Sequence, residues 1–136
     1  MISLLIGSKG TGKTKKIIKL ANEEIAKSKG NIVFVDDDKR HMYDLKHSLR
    51  FISMDEYPIR TADEFFGFLC GIISNDYDIN KIYIDGLLKV MKIDLKDIPK
   101  LISKLEHMSN KYEIDFFMTI SCTKNQLHED LYKYLA

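Results

Sequence analysis

Gly7-Ser8-Lys9-Gly10-Thr11-Gly12-Lys13-Thr14 meets every fixed position of the phosphate-cradling pattern G-x-x-x-x-G-K-[ST]. Gly7, Gly10 and Gly12 permit backbone angles closed to other residues, so successive N–H groups can curl round an anion at the positive end of a helix. Lys13 would then reach the β- and γ-phosphates of a nucleotide, and the Thr14 hydroxyl would ligate Mg²⁺. The flanks supply the context this chemistry needs. Ile2 to Ile6 is a short apolar run that reads as a buried strand, and Lys15 to Ser28 carries Ile17, Ile18, Ala21 and Ile25 at helical spacing. A glycine-rich turn ending in Lys-Thr by accident is expected in only about one chain in a hundred or fewer.

Two groups of acids stand where they would meet such a loop. Asn31 to Val35 is an apolar run ending in Asp36-Asp37-Asp38, and Lys81 to Ile84 is another ending in Asp85-Gly86. Ligands of open α/β sheets sit beyond the carboxyl ends of the strands. Asp36, Asp37 and Asp38 therefore either face the phosphates or form a polar turn that caps the helix after it. Asp85 is placed to accept hydrogen bonds from water on Mg²⁺, or is a turn acid at a strand end.

Strand, glycine loop and helix together resemble the P-loop NTPase superfamily. The resemblance extends over nearly the whole chain by pattern, and its specific parts are Gly7 to Thr14 and, less so, Asp85, which matches the Walker B aspartate. One subclass, with an extra lysine at the second motif position, is set aside because that position is Ser8; Lys9 comes one residue too late and reads as a solvent-facing loop lysine. Phe116 to Ser121 ends in hydroxyls. In the additional-strand division a polar residue at this place senses the γ-phosphate, and Thr119 and Ser121 resemble it, or they merely satisfy the strand end. The resemblance implies a late strand lying between the P-loop strand and the Walker B strand.

For hydrolysis, many members place a glutamate directly after the Walker B aspartate; here that residue is Gly86. The recombinase-like branch, which includes RecA, instead places an acid at the tip of the strand after the P-loop helix, and Phe34-Val35-Asp36-Asp37-Asp38 resembles that, with Asp38 at the catalytic position. Arginine is confined to Arg40, Arg50 and Arg60, and no arginine finger is evident in cis.

The positioning elements follow from periodicity and punctuation. Lys39 to Leu49 has helix-like spacing at Met42, Leu45 and Leu49, and Phe51 to Met54 reads as a short peripheral strand. Thr61-Ala62-Asp63-Glu64 is a capping box opening a helix to about Ser74. That helix is apolar on most sides, and Gly67 and Gly71 suggest close backbone approach; it either packs on the sheet or offers one side to a second copy or another protein. Leu87 to Ile93 is ambiguous. Asp97 and Pro99 start an amphipathic helix whose stripe is Ile98, Leu101, Ile102, Leu105, Met108 and Tyr112, and a short final helix is expected around Asp130 to Leu135. Alternating strands and helices predict an α/β fold: a three-layer α/β/α sandwich with a mainly parallel sheet of four or five strands.

Composition narrows the function classes. A chain of 136 residues with 45% hydrophobic content builds one domain, residues 1–136, around a single core. Its net charge of +1 neither recruits nucleic acid nor repels it, although Lys15, Lys16, Lys19, Lys27 and Lys29 make either a local basic face or a solvated one. Cys70 and Cys122 form no C-x-x-C pair and read as reduced thiols, and the four histidines lack ligand spacing. The longest apolar stretch, Phe65 to Ile73, is far short of the ~20 residues of a membrane span. A cytoplasmic protein is expected.

These readings converge on a protein holding ATP or ADP with Mg²⁺ through Gly7 to Thr14 and Asp85, with slow hydrolysis through Asp38. A nucleotide-binding interaction module without useful catalysis is a second expectation, supported by Gly86 and the missing finger. A small-molecule kinase is a third, weakened by the scarcity of arginine for a lid. Adenine over guanine rests on family frequency and on the lack of an Asn-Lys-x-Asp motif: Asn125 is not followed by lysine.

Overall fold

The short apolar runs that end in glycine, acids or hydroxyls become strands, and their near-continuous hydrophobicity is explained by burial on two faces. The computed structural model describes residues 1–91 and 93–136. Its strands are β1 (Ile2–Gly7), β2 (Asn31–Asp36), β3 (Arg50–Ser53), β4 (Ile79–Ile84) and β5 (Asp115–Ser121), and its helices α1 (Lys13–Ile25), α2 (Ala62–Asn75), α3 (Leu87–Met91) and α4 (Ile98–Tyr112). All strand pairs are parallel, in the order β1-β5-β4-β2-β3. β5 thus lies between β1 and β4, where the sequence reading puts the late strand. Parallel neighbours require crossover connections, and the crossovers here carry helices to both faces. The arrangement is an α/β fold compatible with a three-layer sandwich.

Period-two alternation sorts the side chains. One face of the sheet presents Ile32, Phe34 and Tyr83 to Ile17 and Ala21 of α1, and Leu45 and Leu49 close the same core. The strand register sets Phe51, Phe34, Tyr83 and Phe117 side by side across four strands, with ring centroids 6.2, 6.4 and 6.0 Å apart. Such pairs contribute about 0.5–1.5 kcal/mol each beyond their buried area. The opposite face, with Leu4, Val33, Val35, Ile82, Ile84, Phe116 and Met118, packs under α2, α3 and α4.

Several local expectations are corrected. Residues 39–49 form no α-helix; only Met42–Asp44 makes a 3₁₀ turn. The apolar spacing there serves a loop, pinned when the Asn22 side-chain amide donates to the Asp44 carbonyl at 2.8 Å and its oxygen accepts the Lys46 N–H at 3.0 Å. The C-terminal segment likewise makes a 3₁₀ helix, Glu129–Tyr134. α2 starts at the expected box, Thr61 and Glu64 capping each other reciprocally. Gly67 and Gly71 mark no close approach, because a Cβ at either would meet nothing within 4 Å. Tyr112 of the expected α4 stripe is exposed, α4 ending there in the left-handed residue Glu113. Of the ambiguous stretch, Leu87–Met91 is α3, and Lys92 lies outside the described residues. Among the described residues, no helix is long and apolar enough to cross a membrane.

Candidate functional site

The register brings the strand tips together. Gly7 pairs with Ser121, and Val35 pairs with Ile84, so the next residues, Asp36 and Asp85, leave adjacent strands at the same edge. The glycine loop joins β1 to α1 at that edge. Gly12 is the N-cap of α1 at φ 85°, a left-handed conformation that strains any residue with a Cβ. Gly7 is required for space: a Cβ there would lie 2.7 Å from Thr11 Oγ1.

No side chain caps α1, and no acid stands in its first turn. The orphan N–H groups are thus left without a side-chain cap, which leaves them open to an anion. The contrast with the fully capped α2 shows that this is a local property of the glycine loop. The Lys13 ammonium donates to the Ser8 carbonyl at 3.0 Å, and the Thr11 hydroxyl donates to the same oxygen at 2.7 Å.

Asp85 is held from two sides. Its Oδ2 accepts the Thr14 hydroxyl at 2.8 Å and its Oδ1 accepts the Thr119 hydroxyl at 2.6 Å, while Thr119 Oγ1 accepts the Gly86 N–H at 2.7 Å. Thr119 is 1% exposed, so its hydroxyl satisfies the strand end and at the same time orients the carboxylate. Ser121 is exposed at the rim. Gly86 has φ 73°, which gives a physical reason why glycine rather than glutamate follows Asp85.

A cleft of about 210 Å³ lies among these groups, walled by Lys9, Gly10, Gly12, Lys13, Thr14, Asp85, Thr119 and Ser121 together with Asp36, Asp37, Arg40, His41, Gly86 and Lys89. Most of the anticipated residues meet here; Gly7, Ser8 and Thr11 belong to the loop but do not line the cleft. Asp38 does not line this cleft. It borders a neighbouring cavity of about 340 Å³ with Asp37, Asp55, Tyr57 and Lys89, and its carboxylate is occupied by Arg40. The Arg40 N–H donates to Asp38 Oδ1 at 3.0 Å and the guanidinium Nε lies 2.9 Å from Oδ2. These contacts, the backbone hydrogen bond first, hold Asp38 below the usual carboxylate range.

Asp36 and Asp37 line the cleft, one of the two placements the sequence allows for them, whereas Arg40, His41 and Lys89 are cleft residues that motif reading does not single out. Asp36 closes an apolar run and shares its burial, at 3% exposure. Its Oδ1 accepts the Asp37 N–H at 2.8 Å, but its sealed Oδ2 has no partner among the described residues. Burial above all, then the Asp37 side chain and the charge of Asp85, pushes its pKa up to about 8. Arg40 carried a signal, being one of three arginines and two residues past the acids; Lys89 carried none. Arg40, one of the three arginines, borders the cleft. No protein-family model matches this chain, and no curated protein matches it.

Proposed function

We propose that this chain is a P-loop nucleotide-binding protein of the additional-strand division that binds MgATP or MgADP and acts as a slow ATPase or nucleotide-dependent switch. The observation that carries the reading is the 2.8 Å hydrogen bond between Thr14 and Asp85, residues from motifs 71 positions apart that meet beside an uncapped helix N-terminus. β5 lying between β1 and β4 supports the division.

The residues present fit the cation. Mg²⁺ bound with nucleotide takes one or two protein oxygens besides phosphate and water. Thr14 and Asp85 offer them, the carboxylate within the reach of one hydroxyl. When bound, the cation would neutralise charge on the phosphate oxygens. The chain's own groups do the rest: the glycine-loop N–H groups and Lys13 hold the phosphates, and Thr119 keeps Asp85 oriented. A binding module without useful catalysis is favoured by one observation, that Asp38 is committed to Arg40.

Calorimetric titration with ATP, ADP and GTP, with and without Mg²⁺, tests the reading. Lys13→Ala should weaken nucleotide binding by about 1.5–3 kcal/mol, the contribution of a charge-assisted contact. Unchanged affinity in a folded Lys13→Ala protein would remove the site assignment.

A further inference from the structure

Four cations border the phosphate cleft: Lys9 and Lys13 from the glycine loop, Lys89 from α3, and Arg40 from the loop after β2. Arg40 alone among them is held by a carboxylate of its own segment. Its backbone N–H and its Nε both go to Asp38, and one terminal nitrogen lies 3.7 Å from Asp37 Oδ1. A guanidinium carries five N–H groups in a rigid fork. Asp38 takes the Nε edge, so the two terminal nitrogens make no hydrogen bond among the described residues. They remain available to the cleft.

The segment that carries Arg40 is fixed on both sides. Lys39 is paired with Glu56, Asn22 of α1 grips Asp44 and Lys46, and Leu45 is buried in the α1 core. An arginine whose Nε edge is occupied and whose backbone is tethered has lost much of its rotamer freedom before any ligand arrives. The glycine loop, the α1 N-terminus and Lys13 already serve the phosphates nearest the loop. What a triphosphate adds over a diphosphate is one further, highly charged group. Asp37 and Asp85 share the cleft, so that group needs a cation from outside the loop.

We infer that Arg40 is the chain's own contact to the terminal phosphate of a nucleoside triphosphate, with Asp38 as its positioning residue rather than a base. The inference rests on the nucleotide-binding reading above. It makes the site selective for triphosphate over diphosphate without an arginine from a second molecule.

The test is calorimetry with a non-hydrolysable ATP analogue and with ADP, both with Mg²⁺, on the wild-type protein, Lys13→Ala, Arg40→Ala, Arg40→Lys, Asp38→Asn and Asp38→Glu. Lys13→Ala should weaken both ligands. Arg40→Ala should lower affinity for the triphosphate by about tenfold or more and leave ADP within about twofold. Arg40→Lys should retain only part of the preference, because one ammonium cannot serve Asp38 and a phosphate as a fork does. Asp38→Asn should reduce the preference and Asp38→Glu restore part of it, a pattern that general loss of stability would not produce. A triphosphate preference unchanged in folded Arg40→Ala, with Lys13 still required, would overturn the inference and leave nucleotide binding standing. Wild-type protein that binds neither ligand would overturn both.

Discussion

Thr119 and Asp85 meet across two adjacent strands through a 2.6 Å hydrogen bond, and the acid's other oxygen is taken by Thr14 of α1. Strand β5 is therefore what orients the acid at the tip of β4. Thr119→Val preserves shape but leaves Asp85 Oδ1 and the Gly86 N–H without this partner in a buried setting. We expect a loss of about 1–3 kcal/mol in stability, read from the urea midpoint at constant slope. A change below a few tenths would mean that the relay orients without stabilising.

Asp85→Asn separates a metal role from a structural one. Under the proposed function it should blunt the enhancement of nucleotide affinity by Mg²⁺ and leave metal-free binding nearly intact, since the glycine loop and Lys13 are untouched. The measurement is affinity for ATP in excess Mg²⁺ and in a chelator. If both affinities change equally, or neither does, Asp85 is a turn acid.

Asp36 makes stability depend on pH. Its folded pKa, about 8, is raised above the ordinary carboxylate value of 3.8, so between those limits the native state holds a proton that the unfolded chain has released. Stability therefore falls as pH rises through that window and levels off above about 8. Asp36→Asn keeps a neutral side chain throughout. It should be the more stable protein at pH 8 by an amount on the order of a few kcal/mol, and close to wild type near pH 4. Urea unfolding without nucleotide or Mg²⁺ at pH 5, 7 and 8.5 gives the comparison. Parallel pH profiles for the two proteins would show that Asp36 ionises normally.

Much of the cleft wall was legible because its signals are local. Apolar runs ending in acids mark strand tips, the glycines mark the loop, and Thr61 with Glu64 marks a cap; none needs a distant partner to be recognised. The position of β5 was legible only through the family resemblance, which the hydroxyls at its tip helped to carry. Residues 39–49 were misread because Met42, Leu45 and Leu49 mimic helical period, whereas the conformation is set by Asn22, 22 residues before Asp44. Arg40 was obscured by the same error. Asp38 stands two residues past the end of its strand at Asp36, where the chain turns, so Asp37 and Arg40 border the cleft in its place. Gly67 and Gly71 show the limit of composition: small residues suit a close neighbour, yet these face open space.

Turnover separates a cis arginine from a borrowed one. An arginine at the transferred phosphate is worth about 10³–10⁵ in rate, whether it comes from the same chain or from a partner. If the contact comes from a second copy, phosphate release per chain should rise with protein concentration. With Arg40 bordering the cleft, we expect a rate per chain that is flat over a wide concentration range and falls in Arg40→Ala. The role of Asp38 is read from the double variant. A residue that acts only by holding Arg40 has nothing left to hold once the guanidinium is gone, so Asp38→Asn should lower the rate in the wild-type background and scarcely change it in Arg40→Ala. A proton acceptor would instead lower the rate by a similar factor in both backgrounds. That additive outcome would return Asp38 to the role that the resemblance to recombinase-like ATPases implies for it.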